Sequence, residues 1–218
     1  VQHGEYGVKM WPARDGVEWE NSYKFNAGLP WVYRKTYIDQ IVPKNEGQAQ
    51  VMDDLFDLAT SRPMSRYQSL VVHGSNGTGK SYIGCGFVNS LLAYVGRKAD
   101  DYDFQPMYVN EADLLIRITT YRSTRDWFGV YSDEARYLVI DEFGMVQWTT
   151  AENRRLEQLL NKRFSNGYKT VILTNLSSEE LFNKISSQLR SRLQTGRERF
   201  LSGPDLRAGD PLDYREDW

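Results

Sequence analysis

The chain has 218 residues, 40% hydrophobic and 26% charged, with a formal net charge of -2. These values suit a globular α/β domain with short arms, and they exclude nucleic-acid binding through a global basic field, so any such contact must come from a local basic surface. The single cysteine, Cys85, excludes an intrachain disulfide and a cysteine–histidine zinc site. No apolar run approaches the roughly 20 residues of a membrane span, so no membrane role is expected and the cytoplasm is the expected compartment.

Residues 1–35 are rich in Tyr, Trp, Gly and Asn and carry no helical or strand period. They are expected to form an N-terminal arm, with Trp11, Trp19 and Trp31 packing on the domain. Residues 46–58 place Ala49, Met52, Leu55 and Phe56 on one stripe and predict a helix. Strands are predicted at 68–73, 106–109, 137–141, 169–174 and 198–201. Helical patterns separate them, notably at 151–164 with Leu156, Leu159 and Leu160. Nearly continuous apolar strands alternating with helices predict an α/β fold: a five-stranded parallel sheet with helices on both faces. Such a fold places its functional loops at the carboxyl ends of the strands. The core is expected over 36–202 and a polar C-terminal tail over 203–218.

Gly74-Ser75-Asn76-Gly77-Thr78-Gly79-Lys80-Ser81 is a complete phosphate-binding loop. It lies between the apolar segment Ser69-Leu70-Val71-Val72 and a helical run containing Ile83, Phe87, Val88, Leu91 and Leu92, the context the motif requires. Glycines let successive backbone N–H groups turn around phosphate oxygens, and the helix that follows adds its positive end. Lys80 suits the β/γ-phosphates and the Ser81 hydroxyl a Mg²⁺ ion. ATP with Mg²⁺ is the expected cofactor.

Tyr137-Leu138-Val139-Ile140-Asp141-Glu142 runs four apolar positions into two carboxylates. At the carboxyl end of a strand beside the phosphate loop, Asp141 suits Mg²⁺ through water and Glu142 suits polarising the attacking water. The plainer reading is an acidic strand end that caps a turn. Val171-Ile172-Leu173-Thr174-Asn175 ends in an amide that can hold that water against the γ-phosphate; alternatively, Asn175 only starts the next turn, where Ser177 is the expected helix N-cap. In Leu189-Arg190-Ser191-Arg192-Leu193, Arg192, and less readily Arg190, suits reaching the γ-phosphate of a neighbouring subunit. A surface or salt-bridged arginine is the alternative. His73 and His3 receive no role, and Cys85 reads as a small buried residue.

Residues 74–81, 140–144, 174–175 and 189–196 resemble the Walker A, Walker B, sensor 1 and box VII elements of AAA+ ATPases. The resemblance is closest to the DnaC/DnaI helicase-loader and IstB transposition-helper group. Ala27-Gly28-Leu29-Pro30-Trp31-Val32-Tyr33-Arg34 followed by Thr36-Tyr37-Ile38-Asp39 is similar to that group's entry motif, and the likeness covers roughly residues 27–200. It implies an ATP–Mg²⁺-dependent oligomer that assembles on single-stranded DNA, with a replicative helicase, or in the IstB branch a transposase, as partner. The group often has proline where this chain has Asn76. With about 20 residues after box VII, the helical lid is expected to be absent or vestigial, so Arg207 and Arg215 are weak candidates for a lid arginine. Residues 1–26 are too short for a loader's helicase-gripping module, which is expected upstream of Val1 or not at all.

In that group the stretch corresponding to 111–131 carries a helical element lining a DNA channel. Here Arg117, Tyr121, Arg122, Arg125, Trp127 and Phe128 interleave arginines and rings, which suits phosphates and bases of a single strand; an amphipathic helix with a solvated basic face is the alternative. A P-loop kinase of a small metabolite and a scaffold that binds ATP without hydrolysing it are the readings from other classes. Two adjacent acids without a visible acceptor pocket favour hydrolysis over the first, and Glu142 speaks against the second.

Overall fold

The computed structural model describes residues 27–61, 67–95, 106–120 and 125–206. Trp11, Trp19, Tyr121, Arg122, Arg207 and Arg215 lie outside them. Five strands, β1 (Ser69–Gly74), β2 (Pro106–Asn110), β3 (Tyr137–Asp141), β4 (Lys169–Thr174) and β5 (Arg197–Leu201), form one sheet in the order β2-β3-β4-β1-β5. Every neighbouring pair is parallel. The predicted strands match these within one residue at each end.

The sheet is buried on both faces because its strands alternate between two cores. Leu70, Val72, Tyr137, Val139, Val171 and Leu173 face α1 (Glu46–Thr60) and α2 (Lys80–Val95). Val71, Met107, Val109, Leu138, Ile140 and Ile172 face the opposite way. There they meet α3 (Glu111–Thr119), α4 (Thr150–Ser165), α5 (Ser178–Lys184) and α6 (Ser187–Leu193) through Leu114, Leu156, Leu159, Leu181 and Leu189. Each fully buried Leu or Ile contributes about 1.5–3 kcal/mol of hydrophobic stabilisation, so the two layers fix the strand register that aims the loops.

Local sequence starts the helices where the sheet needs them. Asn45 Oδ1 accepts from Gln48 N at the start of α1, and Asn110 Oδ1 from Asp113 N at the start of α3. Thr149 with Glu152 and Ser177 with Glu180 form capping boxes on α4 and α5; Ser177 is the N-cap expected from the sequence. Residues 27–33 pack against the domain: Ala27 and Leu29 are buried, and the Ala27 carbonyl accepts from Tyr108 N at 2.8 Å. Trp31 corrects the expectation that it packs inward. It opens a short 3-10 turn (Trp31–Tyr33) whose inner side is taken by Tyr33, so the indole is 60% exposed beneath the Arg34 guanidinium.

Between α3 and β3 the chain makes a helical turn (Trp127–Gly129) and then a π-turn (Val130–Glu134). Fully buried Arg163 of α4 holds this turn to β4, donating to the carbonyls of Tyr131, Ala135 and Lys169 and to Thr170 Oγ1. Burial without a carboxylate partner lowers its pKa to about 9.

Candidate nucleotide site

The loops after β1, β3 and β4 meet at one edge of the sheet, because adjacent parallel strands end together. The phosphate loop leaves β1 at Gly74. Gly77 has φ 78°, in the left-handed region that glycine enters without strain, and a Cβ there would collide with Asp205. Ser75 and Asn76 at the loop tip are exposed, whereas Thr78 and Lys80 are buried. Lys80 Nζ donates to the carbonyls of Gly74 (2.6 Å) and Ser75 (2.8 Å), so the ammonium lies within the span of its own loop. Thr78 Oγ1 donates to the Ser75 carbonyl at 2.9 Å. Gly79 has φ 91°, and Ser81 lies in the first turn of α2, half-buried.

Asp141 ends β3, 5% exposed, and both its oxygens are engaged: Tyr108 Oη donates to Oδ2, and Glu142 N to Oδ1 at 2.8 Å. Glu142 is exposed and has φ 55°, the one described non-glycine residue with positive φ. A non-glycine residue held in this region costs about 1–3 kcal/mol and is tolerated where the surroundings over-determine it. Those surroundings are visible. Phe143 N donates to the Leu173 carbonyl at 3.0 Å, and Thr174 Oγ1 to the Phe143 carbonyl at 2.7 Å. Asn175 Nδ2 donates to Asn76 Oδ1 at 2.8 Å, so the end of β4 touches the phosphate loop.

The arginines after α5 are placed differently from each other. Arg192 is half-buried on its own subunit, with Nη1 donating to Asn161 Oδ1 and O and its guanidinium 5.5 Å from the Phe164 ring centre. Arg190 is exposed, its guanidinium 5.1 Å from the Phe182 ring centre. Of the proposed DNA set, Arg117, Arg125 and Trp127 come together. The two guanidiniums stand 4.6 and 4.8 Å from the Trp127 ring centre, and Arg117 also donates to Tyr131 Oη at 2.7 Å. Arg155 lies 3.7 Å from the Phe128 ring centre. Of the rings expected under bases, Trp127 and Phe128 are therefore already stacked with cations.

Several residues that brace this edge were missed by the sequence reading. Gln48 of α1, 3% exposed, donates to the Thr78 carbonyl at 3.0 Å and accepts from Lys44 N at 2.7 Å. Leu206, beyond the sheet, donates its N–H to the Gly77 carbonyl at 3.0 Å. Asn89 of α2 donates to the carbonyls of Tyr33 and Thr36, and Ser90 Oγ accepts from Ile38 N, which fixes the entry segment onto the helix that follows the phosphate loop. His73 is buried at the end of β1, its Nδ1 2.8 Å from the Leu176 carbonyl and its Nε2 2.8 Å from Glu198.

The architecture has solved counterparts. A structure of DnaI superposes with a TM-score of 0.67 at 16% identity, covering 82% of this chain and 94% of the other. A structure of the DnaC helicase loader gives 0.64 at 19%, covering 79% and 100%. A replication initiator DnaA bound to AMPPCP and single-stranded DNA gives 0.63 at 14%, covering 81% and 51%. The fold is the one these structures share, a five-stranded parallel sheet with helices on both faces. No protein-family model matches the chain, and no curated protein matches it in sequence.

Proposed function

We propose that this chain is an ATPase that assembles on single-stranded DNA during replication, acting as a helicase loader in the manner of DnaC and DnaI. The observation that carries the reading is the Asn175–Asn76 hydrogen bond. An amide at the end of β4 is in contact with the loop that would hold the γ-phosphate, on the same edge as Asp141 and Glu142. Likeness to a helicase loader and to an initiator solved with a nucleotide analogue and single-stranded DNA supports the choice of partner.

In this reading the N–H groups of 75–81 hold the phosphates and Lys80 leaves its own carbonyls for the β/γ-phosphate oxygens. The donor set, the hydroxyl of Ser81 and the fixed carboxylate of Asp141, is of the hard oxygen type that would hold magnesium together with the phosphates. No cluster of three or more His, Cys, Asp or Glu suited to another metal occurs among the described residues. Magnesium, when bound, offsets the charge of the β- and γ-phosphates. Glu142 then polarises the attacking water, Asn175 orients it, and an arginine from the next subunit, Arg192 or Arg190, stabilises the transition-state charge. Arg117, Arg125 and Trp127 form the face for the single strand; Tyr121 and Arg122, expected from the sequence to join them, lie outside the described residues.

The test is ATP turnover by the full chain with and without an unstructured oligonucleotide. The expected result is magnesium-dependent hydrolysis that changes with DNA and rises with protein concentration as subunits assemble. Phosphate transfer to a small acceptor, with indifference to DNA, would instead establish the kinase alternative.

A further inference from the structure

A charged side chain with no place in the chemistry above lies under the acid loop. Glu111 is the first residue of α3 and is completely buried. Its Oε1 accepts from Gly144 N at 2.7 Å and its Oε2 from Val146 N at 2.9 Å. The Gly144 carbonyl in turn accepts from Lys184 Nζ of α5. Gly144 has φ 84°, and a Cβ there would approach Leu176 Cδ1 to 2.6 Å, so the loop is also wedged against the residue after Asn175. Met145 N closes the turn onto the Glu142 carbonyl at 3.2 Å. The loop carrying strained Glu142 is thus pinned two and four residues later by one carboxylate.

Burying that carboxylate is costly: desolvation raises its pKa, against the opposing effects of the two N–H bonds, Trp148 and the Lys184 charge. A neutral residue would fill the space with less penalty, so the charge has to be accounted for by what it holds. It holds the loop of Glu142, and it does so from the helix that carries Arg117 toward Trp127. Asn110, just before it, pairs in register with Asp141. A shift of α3 against the sheet would therefore move the two acceptors that fix the turn after Glu142.

We propose that Glu111 is a positioning residue for hydrolysis, holding the Glu142 loop in its productive geometry and tying that geometry to the position of α3. The proposal rests on the ATPase reading above. Small displacements of a reacting group can cost about a hundredfold in rate, and a loss confined to positioning lowers kcat while leaving ground-state binding in place.

The experiment compares wild type with Glu111→Gln, which keeps the shape but offers one acceptor and one misplaced donor, and with Lys184→Met, which loosens the same loop from an exposed position. Turnover, KM for ATP, nucleotide affinity and unfolding midpoint are measured for each, with and without a single-stranded oligonucleotide. In Glu111→Gln, kcat is expected to fall at least about tenfold with KM and affinity within about twofold, and the response to DNA to be lost. Lys184→Met should show a smaller fall in kcat of the same kind. Unchanged kcat in Glu111→Gln, or kcat and affinity falling together in both variants, overturns the proposal. Absence of turnover in wild type overturns the ATPase reading itself, so the two failures are distinguishable.

Discussion

The Tyr108 hydroxyl donates to Asp141 Oδ2 across the β2–β3 pair, and both residues are 5% exposed. With Oδ1 taken by the Glu142 N–H, the carboxylate has one orientation before any ligand arrives. Removing the phenol leaves a buried acceptor without its partner, which costs about 1–3 kcal/mol. Tyr108→Phe is therefore expected to lower the unfolding midpoint, by about 2–4 °C per kcal/mol for a chain of this size. It should also raise the magnesium concentration needed for half-maximal turnover. Calorimetry and a magnesium titration of ATP hydrolysis check the two parts separately.

In the proposed function, binding and turnover are expected to divide between two strands. Lys80→Ala removes the only ammonium within the phosphate loop, and is expected to abolish measurable ATP binding by fluorescent-analogue titration. Glu142→Gln should bind ATP as wild type does and lose about 10²–10⁴-fold in turnover, the usual contribution of a general base. Retained ATP affinity in the first variant, or retained hydrolysis in the second, removes the corresponding assignment.

Glu142 also allows stability and activity to be separated. Its φ of 55° is strained for any residue but glycine. Glu142→Gly should stabilise the fold by about 1 kcal/mol, since glycine enters this region freely, while turnover disappears. A variant that is inactive and no more stable than wild type would mean that the loop relaxes and the strain is not held there by the fold.

The proposed DNA face can be tested at its described residues. Arg125 is exposed, and its ion pair with Glu134 at 3.8 Å is exposed too, the kind that contributes little. If Arg125 contacts a phosphate, Arg125→Ala should lower single-strand affinity and reduce the salt slope by about 0.7. Trp127→Ala should cost about 1–3 kcal/mol of binding if a base stacks on it. Arg117 is a poorer probe because it also holds Tyr131. Anisotropy across a salt series decides; unchanged affinity and slope in the folded variants leave the cations as solvated partners of Trp127.

The parts legible in the sequence are those written in a contiguous run. Leu138-Val139-Ile140 announces a strand buried on both faces, and the eight residues 74–81 announce a strand–loop–helix junction whose proposed chemistry rests on contiguous backbone N–H groups rather than on distant side chains. Ser177 was readable as a cap because its partner Glu180 is three residues away. Glu111, Tyr108 and Gln48 were not readable. Each acts on a residue 30 or more positions distant, and in sequence Glu111 is an ordinary acidic first-turn residue. Trp31 misled because aromatic content signals burial only when the local turn points the ring inward.

The arginine assignment turns on geometry within one subunit. Arg192 is hydrogen-bonded to Asn161 and half-buried, whereas Arg190 two residues earlier is exposed. For Arg192 to act in trans, its guanidinium must leave or share Asn161 as a neighbour docks; Arg190 needs no such release. Loss of the acting arginine should cost about 10³-fold or more in turnover with little change in ATP affinity, as for other arginine fingers. Arg192→Ala and Arg190→Ala are each mixed with Glu142→Gln. The arginine that acts in trans gives a variant that is inactive alone and partly active in the mixture, because some interfaces then pair an intact Glu142 with an intact arginine. Recovery with Arg192→Ala supports the proposed assignment; recovery only with Arg190→Ala transfers the role to the exposed residue. If neither mixture recovers although mixed oligomers form, each arginine is structural or acts within its own subunit, and hydrolysis does not depend on a neighbour through α6.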